Sequence, residues 1–76
     1  MNNETASVPR KERMLRWFKY EHLPANLQEI SKPFCETARW LVETVGAGAE
    51  RTVALRKLLE AKDAAVRAKL EETPDE

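Results

Sequence analysis

Apolar residues recur at Leu27, Ile30, Phe34, Ala38, Leu41 and Val45, in steps of three and four that draw one stripe along a helix beginning near Ala25. Pro33 lies inside that stripe. It lacks a backbone donor and its ring crowds the carbonyl four residues back, so the pattern predicts a kink near Ile30 or a restart with Ser31 as N-cap. The register continues through the proline, which favours the kink. Gly46-Ala47-Gly48 is expected to close this helix, because glycine accepts the left-handed conformation of a helix C-terminus at no steric cost.

A third segment, from about Ala49 to Glu72, sets Leu55, Leu59, Val66 and Leu70 on one line and Ala54, Leu58, Ala61, Ala65 and Ala68 on the adjoining one. The short connection makes these two helices antiparallel neighbours. Before them, Met14, Leu15, Trp17 and Phe18 recur at helical spacing behind Pro9, predicting a short helix over about 9–19 that must end before Pro24. The predicted fold is all-α and oligomeric: a short N-terminal helix plus an antiparallel helical hairpin whose first long helix is kinked at Pro33. Residues 1–8 are expected to form a flexible arm, 9–72 a single hairpin domain and 73–76 an acidic tail.

Composition changes the picture in two ways. The chain has 76 residues, 42% of them hydrophobic and 34% charged. A chain this short buries only about 60% of its unfolded surface, so self-association is an expected supplement to its core. Lys plus Arg and Asp plus Glu both total 13, giving zero formal charge. That balance lacks the basic excess that duplex DNA or an anionic membrane surface attracts, and neither is expected as a partner. Cys35 and His22 are the only residues of their kinds, so an internal disulfide and a Cys/His zinc cluster are ruled out. Neither a membrane-length apolar run nor a signal-like stretch stands out, and a cytoplasmic location is expected.

Catalysis is discounted, since no nucleophile elbow, phosphate-cradling glycine loop or paired metal-ligand motif is present, and no cofactor is expected. Three constellations remain. In an extended Phe18-Lys19-Tyr20-Glu21-His22-Leu23-Pro24 segment, Phe18, Tyr20 and His22 would project to one side as three flat rings able to stack on bases. The plain alternative is that Phe18 and Tyr20 pin the first helix to the hairpin. At the start of the third helix, Arg51 and Thr52 join free backbone donors in a candidate phosphate site; the alternative has Thr52 as a cap and Arg51 in solvent. Lys62 interrupts the seam Leu55, Leu59, Val66 and must pair, with Glu29 or Glu36 as candidates, or line a charged cavity between subunits. Trp17 and Trp40 read as core or interface anchors rather than ligand platforms.

The aromatic-x-Tyr20-x-His22-x-Pro24 run, the helix through Ala38, the glycine turn and Glu50-Arg51-Thr52-x-Ala54-Leu55 leading into Leu58-Leu59-Glu60-Ala61 resemble the small phage-encoded anti-CBASS and anti-Thoeris sponges, which share a helical hairpin domain. The resemblance implies a hexameric helical protein that sequesters cyclic di- and trinucleotides between subunits without cleaving them, blocking host CBASS-type immunity in the cytoplasm of the host cell. It implies base stacking on Tyr20, helped by Phe18 or His22 beside Pro24, and phosphate contacts from Lys32, Arg51 and Thr52. The rival expectation is a small helical adaptor presenting Trp17, Phe18 and Trp40 to a protein partner. A DNA regulator using Arg10-Lys11-Glu12-Arg13 fits the balanced charge least well.

Overall fold

The computed structural model describes residues 12–72, and every element in them is helical. A 3-10 helix spans Arg13–Phe18, α1 spans Ala25–Thr44 and α2 spans Ala49–Glu71. The expected arm (1–8) and tail (73–76) lie outside the described residues. The two long helices pack together as a hairpin and the 3-10 helix lies against both. Among the described residues, no helix is long and apolar enough to cross a membrane.

The first helix is tighter than its spacing suggests. In a 3-10 helix successive side chains are about 120° apart, so Phe18, fully buried, and Trp17, 55% exposed, point in quite different directions. Glu12 starts the helix, its Oε2 accepting the Met14 N–H at 3.4 Å. The core is small: Phe18, Cys35, Ala38 and Leu55, with Met14, Leu15, Phe34 and Leu58 among the residues packed around them.

Helix α1 starts where its pattern begins and runs unbroken through Pro33, so Ser31 is an interior helical residue and not the cap of a restarted helix. The Thr37 hydroxyl donates to the Pro33 carbonyl at 2.8 Å, four residues back along this turn. The buried line is rotated from the expected stripe. It passes through Leu27, Ser31, Cys35 and Ala38, while Ile30, Phe34 and Leu41 flank it half-buried and Val45 is exposed. Small side chains occupy the line of closest approach because α2 and the N-terminal segment both press there, and the larger ones fill the shoulders.

The connection also departs from expectation. Val45 ends α1 in extended conformation, its N–H donating to the Leu41 carbonyl at 2.8 Å. Neither Gly46 nor Gly48 occupies the left-handed region, and a methyl group at either would meet nothing within 4 Å. Gly48 precedes α2 with an extended φ of 169° that any residue can adopt. The turn therefore closes through the Val45 hydrogen bond and open space, not through glycine's special backbone freedom.

On α2 Arg51 and Leu55 are buried, and Leu59, Lys62 and Val66 continue their seam half-buried, with Leu58 beside it. Leu70, expected to continue the seam, is 64% exposed, and Ala61 and Ala68 of the alanine edge are exposed too. Both departures lie toward the C-terminal half of α2, where the protein's interior thins out.

Candidate functional site

Arg51 lies within the protein rather than at its surface. Its Nη1 donates to the carbonyls of Val45 at 2.8 Å and Val42 at 3.3 Å, and its Nη2 meets Glu12 Oε1 at 2.7 Å. Helix α1 ends in carbonyls that lack intrahelical partners, and an arginine in the first turn of α2 folds back across the short turn to satisfy them. Both ends of the ion pair are nearly closed to solvent, with side chains 7% and 13% exposed. The guanidinium that the sequence offered to a phosphate is thus engaged by the fold. Thr52 is exposed and its N–H donates to Gly48 O at 3.1 Å, but no side chain caps this helix. Glu50 stands in the first turn, where its charge complements the helix dipole.

The three-ring row is also redistributed. Phe18 is sealed in the core and presents no ring face, Tyr20 is half-buried against that core, and His22 is exposed. The segment turns instead of extending: the Leu23 N–H donates to Tyr20 O at 3.0 Å. Gln28 Nε2 then donates to the carbonyls of Leu23 at 2.8 Å and Glu21 at 3.2 Å, tying the loop to the first turn of α1. The Glu21 carboxyl is held below its ordinary value of 4.5, chiefly by its own backbone N–H and further by that of Tyr20. Pro24 and Lys32 are exposed.

What the loop does position is a cavity of about 490 Å³, within the roughly 300–1,000 Å³ typical of small-ligand sites. The N-terminal segment supplies Arg16, Trp17, Lys19, His22 and Leu23; α2 supplies Lys62, Asp63, Val66 and Arg67; α1 supplies Ser31. Four permanent cations and a histidine therefore face one carboxylate, in a protein whose overall charge is zero. Such local concentration of one sign in a concave wall draws anions far more strongly than net charge suggests. Among the described residues, Arg16, Lys19, His22 and Arg67 make no ion pair.

The cavity has a flat wall as well as charge. Trp17 is 55% exposed, and the Arg16 guanidinium lies 4.9 Å from its ring centroid. This cation–π contact steadies the indole while leaving much of the ring open for stacking. Ser31 of α1 is fully buried, and among the described residues its hydroxyl is the one buried side-chain polar atom without a hydrogen-bond partner. Lys62 pairs with Asp63 at 3.2 Å, not with Glu29 or Glu36 as expected.

Of the residues singled out in the sequence, the structure brings Trp17, His22 and Lys62 into this cavity and leaves Phe18, Tyr20, Pro24, Lys32, Arg51 and Thr52 out of its lining. Arg16, Lys19, Asp63 and Arg67 supply the rest of its charge. Trp17, expected as a core or interface anchor, is 55% exposed beside this cavity while its neighbour Phe18 takes the core position. Searches against protein families, curated proteins and solved structures match this chain to none of them.

Proposed function

We propose that this protein is a binding protein and not an enzyme: it captures a cyclic oligonucleotide and holds it unaltered, acting as a phage anti-defence sponge in the host cytoplasm. The observation that carries this reading is the cavity beside Trp17, where an accessible indole stands among four cations. A cyclic di- or trinucleotide offers flat bases and closely spaced phosphates, so it needs stacking surface and a few localised cations rather than a broad basic face. A ring-closed ligand also loses less conformational freedom on capture. Trp17 takes the stacking role that the resemblance assigned to the Phe18-Tyr20-His22 row, His22 keeps its place, and Lys19 and Arg67 replace Arg51 as phosphate partners. Tyr20, Pro24, Lys32 and Thr52 stand outside this cavity and would serve a site completed by a second copy, in the oligomer, a hexamer, that the resemblance implies.

The test is thermal unfolding of wild type and Trp17→Ala with a panel of cyclic di- and trinucleotides. Ligand at about 100 times its dissociation constant adds roughly 2.7 kcal/mol of stability. Wild type is expected to melt higher with at least one panel member, which is recovered chemically intact after denaturation, and Trp17→Ala is expected to lose the shift while remaining folded. No shift across the panel, or recovery of a cleaved product, overturns the reading. The adaptor reading draws on a different observation, the 57% exposure of Trp40 on α1 outside the cavity lining.

A further inference from the structure

The lysine that interrupts the apolar seam of α2 has an unusual partner. Lys62 and Asp63 are sequence neighbours, about 100° apart around a helix, and such neighbours do not face each other. Their charged atoms nevertheless meet at 3.2 Å. The Lys62 stem lies in the seam, its side chain only 14% exposed, and the ammonium curls round the helix to reach a carboxylate that is itself 49% exposed. Lys62 is also the one cation of the cavity wall that is not exposed, since Arg16, Lys19 and Arg67 all reach solvent. A lysine whose side chain is mostly covered needs a counter-charge, and Asp63 is the carboxylate at hand.

We infer that Asp63 is an internal stand-in for the ligand's anionic group: it holds Lys62 until an anion enters the cavity, then releases it and turns to solvent. This rests on the anion-binding reading of the cavity given above. Three observations support the exchange. The pair has poor helical geometry, so little orientation is lost when it opens. Asp63 is half in water already, so its release exposes little that was buried. Lys62 lines the cavity with its side chain only 14% exposed, so an anion there gains a cation that water screens little. Asp63 is accordingly a specificity-determining residue, setting a threshold that only an anion able to outcompete a carboxylate will pass.

The experiment titrates the full chain with inorganic pyrophosphate by calorimetry, using wild type, Asp63→Asn, Lys62→Met and the double variant. Asp63→Asn is expected to bind about threefold to tenfold more tightly than wild type, the range that a partly exposed competing ion pair supports. Lys62→Met is expected to bind more weakly. In the Lys62→Met background, Asp63→Asn is expected to give no further gain, because the group being competed for has gone. A gain of equal size in both backgrounds overturns the inference, since Asp63 would then act only through its general negative field. Unchanged or weaker binding by Asp63→Asn, with wild type binding, overturns it while the cavity reading stands. Absence of pyrophosphate binding by every one of these proteins overturns the cavity reading and the inference together.

Discussion

Arg51 and Lys62 stand on the same seam of α2, about 16 Å apart along the helix, and the fold treats them in opposite ways. At the turn end, Arg51 has three acceptors, two of them carbonyls that close α1 and the third a carboxylate from the N-terminal segment. Away from the turn, Lys62 has one partner, reached awkwardly and half in solvent. A long cationic side chain in an apolar seam is costly unless its donors are met. Where they are met fully, the cation becomes part of the architecture; where they are met poorly, it stays available to whatever enters the cavity. The contrast separates structural from functional charge in a chain where both look alike on paper.

The sharpest way to break that contrast is at the turn. Arg51→Ala strands the Glu12 carboxylate and the two terminal carbonyls of α1, and is expected to cost about 3 kcal/mol in urea denaturation. Lys62→Met, read in the same way, is expected to cost no more than about 1 kcal/mol. Equal losses at the two positions would erase the distinction between them.

A smaller effect of opposite sign is expected at Ser31. Replacing a buried hydroxyl that has no partner removes a desolvated polar group, and Ala is also the better helix former, so Ser31→Ala is expected to gain about 1 kcal/mol. A stability loss in the same denaturation assay would mean that the hydroxyl is satisfied in the folded chain.

The smallest effect concerns an exposed ion pair remote from both seam cations. Lys69 donates to the Glu72 carboxylate at 3.0 Å, and that bond, followed by the charge attraction, raises the lysine above its ordinary value of 10.5. A raised lysine contributes its stability fully below 10.5 and loses it as pH rises through the higher folded-state value. Wild type should therefore melt slightly above Glu72→Gln at pH 9, as followed by circular dichroism, with the gap closing above the raised value. A gap that widens with pH would reverse the sign.

How much of this was legible in the sequence depended on the range of each interaction. The limits of α1 and α2 follow from local periodicity and from Pro24, and the structure has them within a residue or so, although the glycine conformation expected at the turn is not the one adopted. The fate of Arg51 was not local: its carboxylate partner Glu12 lies 39 residues away, and nothing in Glu50-Arg51-Thr52 distinguishes a buried arginine from a solvated one. Trp17 was missed for a different reason. Trp17 and Phe18 are adjacent large rings, and local periodicity does not say which of the two is buried; the structure seals Phe18 in the core and leaves Trp17 55% exposed. Lys62 was marked as an anomaly by its position in the seam, but the partner it finds breaks the usual spacing of helical pairs, so a search at three- and four-residue intervals passes over it.

The Glu12–Arg51 bond also bears on the order in which the chain assembles. Helices α1 and α2 are joined by four residues and meet through contacts of short range, the kind that form fastest because little loop entropy is lost in closing them. Glu12 reaches its partner across 39 residues and finds it oriented only where the hairpin has already brought Arg51 to the Val42 and Val45 carbonyls. Docking of the N-terminal segment is then expected late, with substitutions in it chiefly hastening unfolding instead of slowing folding. The same late step forms the wall that carries Trp17, so a chain whose hairpin is complete but whose N-terminal segment is undocked has no cavity at all.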